Sequence, residues 1–209
     1  MTYGKINILL INIQLPINAE RLQSQDQTLS LAEMTWADYE KFDSEEYLGY
    51  RVAYFNGVIT LVSPSKNHER IAATIAILVI AYCRQLNLPY FPLRSTRLSN
   101  KPDAGKEPDV SFAFGTDKEL PDLAIEVIFS SGGIDDLKKY QSIGIKEVWF
   151  WQDNKIIFYQ LKTNGYTEIS TSISLPNLTA DTLESFVNRG FTESPLTIES
   201  DFIKQIANG

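Results

Sequence analysis

Residues 123–129 read Leu-Ala-Ile-Glu-Val-Ile-Phe, an apolar run broken once, by Glu126. As a strand the run alternates, with Leu123, Ile125, Val127 and Phe129 on one face and Ala124, Glu126 and Ile128 on the other. Both faces are therefore written for burial, and such a strand belongs inside a sheet that is covered on either side. The exception is as informative as the rule. An ionised carboxylate in that setting is costly unless it is paired or holds a metal.

The preceding strand bears on the same point. Over 109–114, Val110, Phe112 and Phe114 share a face, and residues 115–121 are turn-like. Pairing the two strands as a hairpin sets the start of one against the end of the other, which brings Asp109 to Glu126.

The pattern around this pair predicts alternating helices and strands. Asn56-Gly57 marks a hairpin within 51–62, because both residues tolerate positive φ. Ser65 caps a helix over 66–86 whose body, 71–81, is apolar on nearly all sides. A strand is expected over 90–98 and a loop over 99–106. A helix over 134–143 is closed by Gly144. A hairpin over 147–161 turns at Asp153-Asn154, and a last helix over 178–187 starts near Thr179 or Asp181. Upstream, Thr35 and Asp38 cap a short helix over 36–42, residues 44–46 link it onward, and 6–13 read as an edge strand. The class is α/β (α+β), a central mixed sheet flanked by helices. With 209 residues, 44% of them hydrophobic, one domain with a sizeable core is expected. It spans 31–190, with a peripheral N-terminal segment at 1–30 and a C-terminal tail at 191–209.

Composition excludes several classes of function. The single cysteine, Cys83, rules out an internal disulfide framework and a cysteine-rich zinc site. It lies fifteen residues from His68 on one helix, ~22 Å away at the helical rise, so the two do not form a nucleophile–base pair. No apolar run reaches the ~20 residues that a membrane span needs, and no secretory signal is evident, so the cytoplasm is the expected location. The net charge of −7 argues against a large electrostatic footprint on DNA, though a local basic patch and metal ions can offset it.

Taken alone, the residues leave two readings of Asp109 and Glu126 open. Converging carboxylates suit a hard divalent cation that retains some water. An ion pair to Glu126 from Arg94 or Arg97 fits equally well.

An ordered set of blocks runs through the chain: Asn56-Gly57, Ser63-Pro64, Asn67-His68-Glu69 and Glu107-Pro108-Asp109-Val110. They continue with Pro121-Asp122-Leu123 leading to Glu126-Val127, then Ser131-Gly132-Gly133-Ile134-Asp135, Tyr140 with Gly144, Glu147-Val148-Trp149, and Ser174-Leu175-Pro176-Asn177-Leu178. Over residues 34–188 this set resembles the Uma-two family of the PD-(D/E)XK nuclease superfamily. The resemblance implies a restriction-endonuclease-like fold and Mg²⁺- (or Mn²⁺-) dependent hydrolysis of DNA phosphodiester bonds. It implies Asp109 and Glu126 as catalytic metal ligands, with the Val127 carbonyl completing the shell and His68 and Glu69 in support. The lysine of the signature departs from the pattern. The position two residues after Glu126 is Ile128, and the family's alternative, four residues before Tyr140, is Asp136. Lys139 and Lys138, within the next turn, are the substitutes, and Lys139 is nearer the face of Asp136.

Two rivals stay in view. One is a degenerate nuclease domain that binds nucleic acid or protein without cleaving. The other is a homodimer held by the long apolar helix and the aromatic run Trp149-Phe150-Trp151, although ordinary core packing accounts for those aromatics as well.

Overall fold

The first strands, β1 (Thr2–Ile8) and β2 (Ile11–Ile17), pair antiparallel with each other and form their own two-stranded sheet. In this computed structural model the described residues are 2–8, 11–17, 24–42, 50–129 and 134–207. The edge strand expected over 6–13 is thus corrected. Its residues are divided between two strands whose register matches Ile6 with Ile13 and Asn7 with Asn12. The linker predicted at 44–46 and the motif residues Ser131-Gly132-Gly133 lie outside the described residues.

The chain continues with β3 (Gln27–Leu31) and α1 (Trp36–Lys41), the latter held by a Thr35–Asp38 capping box. Next come β4 (Arg51–Phe55) and β5 (Val58–Ser63), joined where Asn56 and Gly57 take φ of 48° and 78°. α2 (Lys66–Gln85) follows, with the Ser65 hydroxyl accepting from the His68 N–H. Then come β6 (Tyr90–Pro92), β7 (Leu98–Asn100), β8 (Ala104–Lys106), β9 (Val110–Phe114) and β10 (Leu123–Ile128). The C-terminal part holds α3 (Ile134–Ile143), β11 (Glu147–Gln152), β12 (Lys155–Lys162), β13 (Gly165–Ile169), α4 (Ala180–Val187) and α5 (Pro195–Ala207).

These strands build two further sheets. The larger has the order β13-β12-β11-β10-β9-β6 and is mixed, because β10 and β11 are parallel while its other neighbours are antiparallel. The smaller, antiparallel throughout, has the order β3-β5-β4-β8-β7. As its sequence requires, β10 is buried along its whole length. Ile125 and Val127 share a core with Ile71, Ile75 and Leu78 of α2, whereas Ala124 and Ile128 share another with Leu137 and Tyr140 of α3. Trp149 and Trp151 also belong to the α2 side of the core, and Trp149 stacks on Phe158 at 4.1 Å. The aromatic run is therefore internal.

The structure differs from the sequence reading at four further places. The strand expected over 90–98 ends at Pro92, which has no N–H to extend a ladder, and Arg94 follows at φ 54°. The loop expected over 99–106 is instead a β7–β8 hairpin. Gly105 is required there, because a Cβ at that position would lie 2.3 Å from the Tyr39 ring. Residues 191–209, read as a tail, carry α5, whose Ile198 and Phe202 are fully buried against α2 and α4. The spacing of Ile198, Phe202 and Ile206 is one helical stripe. Similarly, the boundary at residue 30 cuts through β3, an integral strand of the smaller sheet.

Phe202 packs against Tyr82 and Phe186 at centroid distances of 6.2 and 5.3 Å. Phe202→Ala is expected to lower unfolding free energy by about 3–5 kcal/mol in a denaturant titration. A true tail would give no change.

Candidate active site at the junction of the two sheets

The antiparallel register of β9 and β10 ends at Val110 opposite Ile125. Asp109 immediately precedes β9, and continuing the register by one residue would set it against Glu126. Both are buried, and both line one cavity of about 180 Å³ where the smaller sheet meets the larger. The backbone locks this relation, since the Val127 N–H donates to Asp109 Oδ2 at 2.6 Å.

The Asp109 end draws on the smaller sheet and on α2. Arg51 of β4 reaches Asp109 Oδ1 at 3.0 Å, and His68 Nε2 reaches the same oxygen at 3.0 Å. His68 Nδ1 lies 2.7 Å from Asp26 Oδ2, just before β3. With a carboxylate against each ring nitrogen, the imidazolium is the form that donates to both. Burial opposes that charge, but Asp109 and Asp26 outweigh it and raise the ring to about 9. Asp109 responds in the opposite sense. Burial opposes its charge too, yet His68, Arg51 and the Val127 N–H hold it below the ordinary aspartate value. Glu69 is outside the cavity lining, exposed, and pairs with the other Arg51 nitrogen at 3.0 Å.

The Glu126 end draws on β8 and α3. Lys106 Nζ lies 3.2 Å from Glu126 Oε2 and 3.3 Å from Asp136 Oδ2. The Tyr140 hydroxyl donates to Glu126 Oε1, and Lys139 pairs with Asp136 from the next helical turn. Burial raises the Glu126 carboxyl, Asp109 and Asp136 add to the rise, and Lys106 and Tyr140 offset it only in part, leaving it at about 7. Asp136 is held at about 2, because Lys106 and Lys139 outweigh its burial. Two buried carboxylates of one cavity are thus driven in opposite directions, a pattern typical of acid–base sites.

The sequence-predicted residues divide accordingly. Asp109, Glu126, Val127, His68 and Lys139 line one cavity. Lys138 does not line it, being exposed and paired with Asp135 at 2.8 Å. Glu69 meets the site through Arg51. Sequence reasoning missed Lys106, Asp26, Arg51 and the hydroxyl of Tyr140. Arg97 pairs with Glu107 at 2.8 Å rather than with Glu126. The only available signal for Lys106 was its place three residues before Asp109.

The donor set would admit a metal only with help from groups other than side chains. Among the described residues no three His, Cys, Asp or Glu side chains form a ready cage. A carboxylate offers about four lone-pair sites. Asp109 accepts from Arg51, His68 and Val127, and Glu126 accepts from Tyr140 and Lys106, so both retain acceptor capacity. Two hard oxygen ligands supplemented by carbonyl and water is the usual complement of Mg²⁺.

Comparison with known proteins gives a family match and a likeness of fold. Residues 36–199 match the family model Uma2, described as "Putative restriction endonuclease". The fold is also similar to a crystal structure titled a putative nuclease belonging to DUF820 from Anabaena variabilis ATCC 29413. That match has a TM-score of 0.52 at 15% identity and covers 74% of this chain and 99% of that one. No curated protein matches the chain.

The titrations fix the sign of the pH dependence. Between 4.5, the ordinary glutamate value, and about 7, native Glu126 keeps a proton that the unfolded chain has lost, so stability falls as pH rises. His68 extends the decline, since its contribution is whole below 6.5 and is lost through about 9. Asp136 acts oppositely, contributing fully above 3.8 and losing that contribution as pH falls through about 2. The urea midpoint is expected to peak near about pH 4–5 and to decline towards pH 9. Glu126→Gln should flatten the slope between 4.5 and 7 while sparing the slope above it; an unchanged profile in that variant would refute the assignment.

Proposed function

This chain belongs to the Uma2 family, and from that premise we propose that it is a cytoplasmic, metal-dependent endonuclease hydrolysing DNA phosphodiester bonds. The observation that carries the reading is the buried pair Asp109, just before β9, and Glu126 of the adjacent β10, tied through the Val127 N–H and lining one charged cavity of a restriction-endonuclease-like fold.

Asp109 and Glu126 would hold Mg²⁺ or Mn²⁺, with the Val127 carbonyl in support. The bound ion would lower the pKa of a water and polarise a phosphate oxygen. The remaining residues fix and balance these ligands. Val127 N–H and His68 orient Asp109, Arg51 bridges Asp109 to Glu69, and Tyr140 fixes one oxygen of Glu126. His68 is in turn held by Asp26, so the segment before β3 belongs to the site. A lysine of the cavity, Lys139 or Lys106, supplies positive charge to the phosphate.

A non-cleaving nucleic-acid or protein binding module is the second reading. The observation favouring it is that Lys106 already neutralises Glu126, and Arg51 and His68 already neutralise Asp109. A homodimer would have to form through surfaces other than the internal aromatic run. Ala76, Ile77 and Ile80 of α2 are half-buried and line a groove together with Pro92, Val110 and Phe112.

The test is incubation of the full chain with supercoiled, linear and single-stranded DNA, with Mg²⁺, Mn²⁺ or chelator. Cleavage is expected with either metal and not with chelator. Asp109→Ala and Glu126→Ala should each lower the rate by at least about 100-fold. Undiminished cleavage in either variant would sink the proposed centre, and tight DNA binding without cleavage would favour the second reading.

A further inference from the structure

Three lysines lie near the Glu126 end of the cavity, and their geometry separates them. Lys138 is exposed and engaged with Asp135. Lys139 touches Asp136 and, among its ion pairs, not Glu126. Lys106 touches Glu126 at 3.2 Å and Asp136 at 3.3 Å. Its side chain is 11% exposed, and it stands on a strand of a sheet rather than on the surface of a helix.

Resting on the nuclease reading, we infer that Lys106 is the catalytic lysine of this chain, the ammonium that meets the reacting phosphate. Three placements carry this. Lys106 is the cavity lysine in direct contact with one of the facing carboxylates, so its nitrogen lies beside the reacting centre. It precedes Asp109 by three residues, through Glu107 and Pro108, so the lysine and the first carboxylate sit on one continuous segment. Asp136 is the positioning residue. It accepts from Lys106 through one oxygen and from Lys139 through the other. Lys139 thereby neutralises Asp136 and leaves Lys106 shared between Asp136 and Glu126.

An ammonium has three N–H donors. Two are committed to Glu126 and Asp136, and among the described residues the third is available to a phosphoryl oxygen. In the hydrolysis the water oxygen bonds to phosphorus and the bond from phosphorus to one sugar oxygen breaks. The water proton passes to solvent, and the leaving oxygen takes up a proton from solvent. Lys106 neither gains nor loses a proton. It donates a hydrogen bond whose strength grows as charge builds on the phosphoryl oxygens.

The experiment compares the full-length wild type with Lys106→Met, Lys106→Gln and Lys139→Gln. Lys106→Gln retains hydrogen bonding to Asp136 and guards against loss of fold in the methionine variant. Single-turnover cleavage of supercoiled DNA is measured at saturating Mn²⁺, Mn²⁺ affinity is measured by electron paramagnetic resonance, and folding is checked by circular dichroism. Both Lys106 variants should cleave at least about 100-fold more slowly than wild type with Mn²⁺ affinity undiminished. Lys139→Gln should lose at least about tenfold less than they do. The assignment is overturned by a Lys106 variant within about threefold of wild type. It is equally overturned by a rate loss matched by a loss of Mn²⁺ affinity, by a greater loss in Lys139→Gln, or by failure of both Lys106 variants to fold, which would make Lys106 a structural counter-ion. If the wild type leaves every DNA intact, the nuclease reading falls and this inference with it; if the wild type cleaves and the Lys106 variants cleave equally well, only the inference falls.

Discussion

Asp109 and Glu126 are both buried on the wall of one cavity, Asp109 accepting from the N–H of the residue after Glu126, and both carry carboxylates. Like charges so placed raise each other's energy, and burial adds to the cost. Much of the molecule's layout can be understood as an answer to that constraint. The larger sheet supplies the two carboxylates and no cation that touches them. The smaller sheet supplies Arg51 from β4 and Lys106 from β8, α2 supplies His68, and α3 supplies Tyr140 and Asp136. The two sheets meet where the charges balance. Breaking one buried pair of this kind leaves a charge uncompensated, a loss on the order of 3–5 kcal/mol, so the network ties the packing of the sheets to the protonation of the site.

That dependence explains which parts of the chain were legible in sequence. Glu126 announced itself because it interrupts an apolar strand, and Asp109 followed from hairpin geometry. Both inferences use local period and register, which a sequence carries in full. The hairpins at Asn56-Gly57 and Asp153-Asn154 and the Ser65 cap were readable on the same grounds, as each depends on backbone chemistry within a few residues. The family's ordered blocks added the fold, since they fix the sequence of elements around the pair.

What remained hidden depends on contacts made at long range. Asp26 lies 42 residues from His68 and Lys106 lies 30 from Asp136. Neither has a local signature, because an aspartate in a polar stretch and a lysine beside a glycine both read as surface. The β7–β8 hairpin was hidden for a related reason. Its turn-rich composition suggests a loop, while its pairing with β4 and the fit of Gly105 under Tyr39 are properties of the assembled sheet. For α5 the apolar stripe was present in the sequence, yet its partner surface on α2 exists only once the fold has formed.

The position of the lysine shows how a motif and a site can part company. A signature that counts residues along β10 finds Ile128 where it wants an ammonium, and one that counts along α3 finds Asp136. Each count assumes that the charge must come from the element that carries the count. The cavity imposes no such rule. It requires a cation within reach of Glu126, and β8 delivers one from the other sheet at 3.2 Å. The aspartate on α3 then has a role instead of being a defect, since it accepts from that same ammonium. Electrostatics constrains where the charge resides and leaves open which segment supplies it, so the departure seen along the strand and the compensation seen in the cavity are two views of one arrangement.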